Sequence, residues 1–132
     1  MIRPCLFALA GLLLAGCGAS EVPFATYKGE PNADDAAIEG EIAVGHGRCL
    51  YVVTPDGRQH LIALPAIATR WDSSHATLTL SGVILTPGAS MVFGGSGLAQ
   101  PLNSLQWKTR PSNECDASLI WIAGDSAGPP RR

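Results

Sequence analysis

The sequence predicts an all-β domain, a small antiparallel β-barrel of about five to six strands with one short helical turn. Short segments rich in β-branched and aromatic residues recur between turn residues, at intervals of roughly ten residues. No long segment has the hydrophobic period of an amphipathic helix. The chain has 132 residues, including 15 Gly and 10 Pro, which is enough for one small domain with short appendages.

The clearest strand signals lie in the first half of this domain. Residues 38–44 alternate apolar side chains with glutamates, which is typical of a half-buried strand. Residues 49–54 and 59–64 flank Pro55-Asp56-Gly57-Arg58, and this Asp-Gly pair favours a hairpin turn. After Pro65, residues 66–70 are expected to form one helical turn.

The second half adds three strand signals. Residues 76–85 alternate until Gly82, which we interpret as a bulge or bend within one strand. Residues 90–93 form a strand that enters a predicted loop, Gly94-Gly95-Ser96-Gly97. Residues 118–123 are apolar nearly throughout, which predicts a central strand.

The N-terminus has the pattern of an export signal. Arg3 precedes an uncharged run, residues 6–15, that is shorter than the roughly 20 residues of a transmembrane helix. Leu14-Ala15-Gly16-Cys17 resembles the lipobox of bacterial lipoproteins and matches it at all four positions. The resemblance implies that residues 1–16 are a signal peptide cleaved before Cys17, whose thiol then carries diacylglycerol and whose new amino group is usually acylated.

The same resemblance implies a location. Two or three acyl chains are enough for durable anchoring in a membrane. Gly18, rather than Asp, follows the lipidated cysteine, which in Gram-negative lipoproteins implies sorting to the periplasmic face of the outer membrane. The alternative is an ordinary secretory signal or a buried apolar segment that happens to contain a cysteine.

Cysteine usage then predicts a disulfide. Cys5 leaves with the signal peptide and Cys17 is consumed by lipid, so Cys49 and Cys115 remain. An exported compartment is oxidising, and closing so long a loop would contribute about 4 kcal/mol to the free energy of unfolding. Neither cysteine belongs to a CxxC or CxH pair, so we predict no metal site and no cofactor.

The remaining segments are predicted to be appendages. Residues 17–37 are acidic with little hydrophobic periodicity, and we expect a flexible linker that reaches about 25 Å from the membrane. Residues 125–132 end in Pro-Pro-Arg-Arg and are expected to be a disordered tail. The barrel domain is therefore assigned to residues 38–124.

The order of these features is similar to that of small, disulfide-linked, OB-like β-barrel lipoproteins of bacterial envelopes. It includes a cysteine-bearing hairpin, a bent strand, a Gly-rich segment and a cysteine before the last strand. The resemblance covers about residues 38–124 and implies a binding or structural module. It supplies no active-site residues.

Other chemistry has little support. The formal net charge is −2, with nine Lys and Arg against eleven Asp and Glu, which argues against nucleic acid as a partner. Ser96 lacks the second glycine of a GxSxG nucleophile elbow. His46, His60 and His75 lie on three different segments. A metal or acid–base site would require the fold to bring them together with Asp56 or Asp72. We therefore predict no catalytic residues.

Tryptophans are the better candidates for contact with a partner. Trp121 lies on the most apolar strand and is expected to be core. Trp71 and Trp107 lie beside charged residues, a composition that suits either an interface anchor or a plug of the barrel.

Three functions remain open. The leading one is a non-catalytic envelope lipoprotein that docks a protein partner through Trp71, the Gly94–Gly97 segment and Trp107. The second is an inhibitor or immunity protein against a cell-wall or envelope hydrolase, with the Gly94–Gly97 loop entering the active site. A small-ligand carrier or an enzyme is third, because it needs a sizeable pocket.

Overall fold

The computed structural model describes residues 21–98 and 105–131, and the predicted signal peptide and Cys17 lie outside them. Within the described residues, ten strands and one 3-10 turn, Ala66–Ala68, confirm the all-β prediction. The strands are β1 Thr26–Tyr27, β2 Ala36–Gly45, β3 Cys49–Val53, β4 Gln59–Pro65, β5 Thr69–Asp72, β6 Thr77–Leu80, β7 Val83–Ile84, β8 Ser90–Gly97, β9 Trp107–Thr109 and β10 Ile120–Gly128. The short 3-10 turn lies where a helical turn was predicted.

Five of these strands close into a barrel. β2, β3 and β4 form an antiparallel meander, β8 pairs with the free edge of β2, and β10 joins β8 to β4. The β4–β10 pair is parallel, and the other four strand pairs of the barrel are antiparallel, as predicted. This strand order is that of an OB-type barrel. β5, β6 and β7 form a separate three-stranded sheet between β4 and β8 in the chain.

The wall formed by β3, β4 and β10 is buried on both faces. Alternate residues of these strands join the barrel interior: Leu50, Val52, Ile62, Leu64, Trp121 and Ala123. The residues between them form a second apolar cluster on the outer face: Cys49, Tyr51, Leu61, Ala63, Ile120 and Ile122. Burial on both faces explains why these strands are nearly continuous apolar runs.

Two distant segments cover that outer face. Ala25 and Tyr27 come from the N-terminal side, and Trp107 comes from β9. β1 pairs with β4 on one side and with β9 on the other. The predicted disulfide is confirmed, since Cys49 is bonded to Cys115 with a Cα–Cα distance of 5.5 Å and a sequence separation of 66 residues. This bond fastens the covering segment to β3.

Residues 17–37 were predicted to be a flexible linker, and this prediction is wrong for residues 24–27. Residues 24–27 are buried, and Thr26 is paired with Leu64 of β4. The acidic residues around them lowered the average hydropathy of the segment and concealed an apolar run from Val22 to Tyr27. Burial of this run against the barrel offsets its ordering entropy.

The predicted tail, residues 125–132, is also wrong in part. β10 continues to Gly128, and Ala127 and Gly128 pair with Phe93 and Val92 of β8. The register shifts between Ala123 and Ala127, so this strand bulges away from β8 before pairing resumes. The bulge residues are polar or small, which is why the segment resembled a tail.

Two interpretations of glycines are corrected as well. Gly82 lies in a two-residue turn with Ser81 between β6 and β7, and φ is positive at both residues, at 82° and 50°. Such a pair makes a tight hairpin rather than a bulge in one strand. Residues 94–97 belong to β8 rather than to a loop.

The sequence also gave no signal that predicted β5 as a strand.

Candidate functional site

The residues predicted to bind a partner do not form one site. Trp107 is 8% exposed and lies in the outer-face cluster, so it is core and not an exposed anchor. Trp71 is half-buried and packs against the interior cluster. Gly94 and Gly95 line a different groove from the one that Trp71 lines.

The Gly-rich part of β8 has a structural reason. Gly95 has a φ of 130°, and a Cβ there would lie 2.1 Å from the carbonyl oxygen of Ile122. Only glycine permits that backbone approach. Ser96 accepts a hydrogen bond of 2.8 Å from the side-chain amide of Asn32, which also donates 3.0 Å to the Ile122 carbonyl. Ser96 therefore holds the N-terminal segment in place.

Tyr27 completes this attachment. Its hydroxyl donates a 2.5 Å hydrogen bond to the carbonyl oxygen of Ala123 and accepts one of 2.8 Å from the backbone N–H of Asn32. Burial raises the pKa of Tyr27 above its ordinary value of 10.0. The roles of Tyr27 and Asn32 could not be recognised in the sequence, because they depend on partners more than 60 residues away in the chain.

The attached segment forms one wall of a groove of about 780 Å³. Residues 32–39 lie on one side and residues 124–131 on the other, with Gly94 and Gly95 of β8 also in the lining. The lining includes four carboxylates and one cation: Asp34, Asp35, Glu39, Asp125 and Arg131. We call this the acidic groove.

A second groove, of about 510 Å³, surrounds Trp71. The apolar residues that line it are Pro23, Phe24, Val44 and Trp71. The charged residues that line it are Glu21 and Arg48. The Phe24 and Trp71 rings meet edge to face with centroids 5.9 Å apart. Val44 is 48% exposed, so apolar surface faces solvent here. We call this the Trp71 groove.

The two grooves lie at opposite ends of β2. Ala36 and Ala37, at its start, line the acidic groove, and Val44 and Gly45, at its end, line the Trp71 groove. A strand of ten residues spans roughly 30 Å at about 3.3 Å per residue. The barrel therefore presents two surfaces of different chemistry at opposite ends of this strand.

The histidines form no catalytic arrangement. His75 Nδ1 lies 2.8 Å from Asp72 Oδ2 and 3.1 Å from Ser74 Oγ. A catalytic relay needs the acid and the nucleophile on different ring nitrogens, whereas here both are at Nδ1. All three residues are exposed in the β5–β6 turn. The hydrogen bond from Ser74, followed by that from His75, lowers the pKa of Asp72 to about 2.

His46 and His60 lie elsewhere, on separate segments. Among residues 21–98 and 105–131, no three His, Cys, Asp or Glu side chains are grouped so that they could hold a metal ion. The same residues include no helix with the length and apolarity to cross a membrane.

The usual ligand face of this barrel type is occupied by the chain itself. In OB folds, oligonucleotides and oligosaccharides bind over the second and third barrel strands. These strands are β3 and β4 here, and Tyr27 and Trp107 cover their outer face. No protein-family model, curated protein or solved structure matches this chain.

Proposed function

We propose that this protein is a lipid-anchored, non-catalytic module of the bacterial cell envelope, held at Cys17 on the periplasmic face of the outer membrane, that binds a protein partner through the acidic groove. The observation that carries the proposal is the groove itself. It is the concave surface that combines net negative charge with the glycines already singled out in the sequence.

The partner is a protein segment of extended, basic character. Asp34, Asp35 and Asp125 are exposed, and their charge would steer a basic segment towards the groove. Gly94, Ala36 and Ala37 have small side chains or none, so a peptide backbone can approach β2 and β8 closely. Cys17 and the export signal support the envelope location, and the Cys49–Cys115 disulfide is suited to an oxidising compartment.

The other two functions have less support. An inhibitor or immunity protein was motivated by a protruding loop at residues 94–97, and these residues belong to β8. A small-ligand carrier needs an internal cavity, whereas the barrel centre is filled by side chains with no exposure, among them Val52, Ile62 and Phe93.

The test is site-specific photocrosslinking in cells that express the full chain. A photoreactive amino acid at Ala37, in the acidic groove, should give a discrete crosslinked protein band. The matched control position is Thr86, which is also exposed but lies outside both grooves.

Charge reversal then tests whether the groove selects the partner. We expect Asp34→Lys with Asp125→Lys to abolish the Ala37 crosslink, because the basic segment would be repelled. Glu30→Lys with Glu114→Lys is the matched control, since both residues are exposed and neither lines the groove. A crosslink that survives the first pair as well as the second would rule out this groove as the partner site.

A further inference from the structure

The folded domain begins very close to the predicted lipid anchor. Val22 and Phe24 already pack in the interior cluster, and Glu21 lies only four positions after Cys17 in the sequence. Four residues span at most about 14 Å even when fully extended. An anchor at Cys17 therefore keeps the surface beside Glu21 close to the membrane.

That surface has the composition of a membrane interface contact. Glu21 lines the Trp71 groove together with Val44, Arg48 and Trp71. It also lines a second, adjoining groove that includes Lys108. Arg48 and Lys108 are exposed, and neither forms an ion pair with a described residue.

Each of these side chains suits the boundary between lipid headgroups and water. Tryptophan is enriched at that depth because its ring is amphipathic. Arginine and lysine can keep their apolar stems near the acyl chains while the charged ends reach lipid phosphates. Exposed Val44 adds apolar area, and the Glu21 carboxylate can pair with the ammonium of phosphatidylethanolamine.

We propose that the Trp71 groove is seated on the phospholipid surface, with Trp71 and Val44 at the level of the headgroups and Arg48 and Lys108 on lipid phosphates. This inference rests on the lipid anchor of the proposed function and adds an orientation to it. The end of β2 that carries Val44 faces the membrane, and the start of β2 directs the acidic groove away from it. That orientation also keeps the carboxylates of the groove away from anionic lipid.

The experiment uses the full chain, purified in its acylated form and reconstituted into vesicles of phosphatidylethanolamine and phosphatidylglycerol with brominated acyl chains. Bromine quenches tryptophan fluorescence at contact range. Trp107 and Trp121 are buried and give a common background. Subtracting the fluorescence of Trp71→Phe from that of the wild type gives the contribution of Trp71.

The matched control moves the reporter to the other end of β3. Trp71→Phe with Arg58→Trp places a tryptophan in the exposed β3–β4 turn, whereas Arg48 lies in the β2–β3 turn. We expect the Trp71 signal to fall roughly twofold or more in brominated vesicles, as for a ring at headgroup depth. The reporter at position 58 should not change.

Three results would overturn the inference. Equal signals from Trp71 in brominated and ordinary vesicles, with the protein acylated and vesicle-bound, would refute the orientation and leave the anchor intact. Quenching at position 58 instead of Trp71 would show the opposite end on the membrane. Absence of an acyl group, seen by intact mass before reconstitution, would remove the anchor and this inference together.

Charge gives a second readout. Arg48→Glu should reduce quenching of Trp71 in vesicles that contain phosphatidylglycerol, because a carboxylate would be repelled by the anionic surface. Arg58→Glu is the matched control at the far end and should leave the quenching unchanged. Equal effects of the two substitutions would contradict a direct role for Arg48.

Discussion

The two faces of the wall formed by β3, β4 and β10 are both apolar and buried, but they are buried by different means. The inner face packs against β2 and β8 of the same barrel, against Leu78 and Leu80 of β6 and against Phe24. The outer face is covered by residues from β1 and β9 and by the segment that ends at Cys115. Most of the inner face is thus closed by the barrel strands, whereas closure of the outer face requires the segments that carry Tyr27 and Trp107.

The interior cluster stabilises the barrel, whereas the outer cluster covers the face on which OB-type barrels usually bind ligands. Most of the interior cluster comes from the barrel strands themselves. The outer cover is in addition joined to β3 by the disulfide between Cys49 and Cys115. Once covered, the usual ligand face of an OB-type barrel is replaced by internal packing.

Shortening a buried side chain of the barrel interior should lower the free energy of unfolding more than any other change considered. Phe93 has no exposure, and we expect Phe93→Ala to lower the free energy of unfolding by about 3–5 kcal/mol through lost burial and a cavity. Chemical denaturation followed by circular dichroism measures this. Ile84→Ala, at a residue 56% exposed, is the control and should have little effect. Similar losses in the two variants would mean that the interior is not packed as described.

Removing the disulfide should loosen the outer face first. We expect Cys49→Ser with Cys115→Ser to cost about 2–4 kcal/mol on the chain-entropy account. Hydrogen exchange should accelerate at β9 and β1 more than at β3 and β4, because the covering segments lose their attachment. Uniform acceleration over the whole barrel would contradict the separation of the two faces.

Removing the Tyr27 hydroxyl tests how the N-terminal segment is held on the outer face. Tyr27→Phe leaves the Ala123 carbonyl and the Asn32 N–H without their shared partner, so we expect a loss of about 1–3 kcal/mol. Because burial raises the pKa of Tyr27, the folded state favours the neutral phenol. Stability from this group is complete below pH 10 and falls as the pH rises further.

The alkaline dependence provides the check on Tyr27. Unfolding measured on either side of pH 10 should show a steeper loss of stability in the wild type than in Tyr27→Phe. Tyr51→Phe is the control, because the Tyr51 hydroxyl accepts a hydrogen bond from the backbone N–H of Asp116 at the other covering segment. Identical pH profiles for the wild type and Tyr27→Phe would show that the phenol is not buried.

The smallest effect concerns a turn that belongs to neither face. The Asp72 carboxyl should titrate by NMR with a pKa of about 2. Ser74→Ala should raise that pKa more than His75→Ala does, because the hydrogen bond from Ser74 is the larger cause. A lowered pKa stabilises the fold above the unfolded value of 3.8, and this contribution is lost as the pH falls through about 2. A larger response to His75→Ala would contradict the assignment.

Sequence reasoning predicted the inner face far better than the outer one. Alternation in residues 38–44 and the Pro55–Arg58 turn are local signals, and both correspond to observed strands and their turn. The N-terminal part of the cover was missed because Ala25 and Tyr27 lie among acidic residues, where composition indicates a linker. The disulfide was predictable because exported cysteines tend to pair, which needs no geometry.

The candidate sites divide in the same way. Gly94 and Gly95 attracted attention because their sequence suggested an unusual backbone, and they line a groove. Three of the four carboxylates of that groove, however, come from residues assigned to a linker or a tail. Trp71 was noticed for its charged neighbours along the chain, whereas its groove is formed by Phe24, Val44 and Arg48 from other segments. Sequence identifies such residues singly, and the fold decides which of them meet.

The most direct test of the whole account is the intact mass of the protein extracted from membranes of cells that express the full chain. We predict a chain that begins at Cys17, carries a diacylglyceryl group on its thiol, and is two hydrogen atoms short of the fully reduced mass. A chain that retains residues 1–16, has no acyl group and contains both Cys49 and Cys115 as thiols would contradict the account.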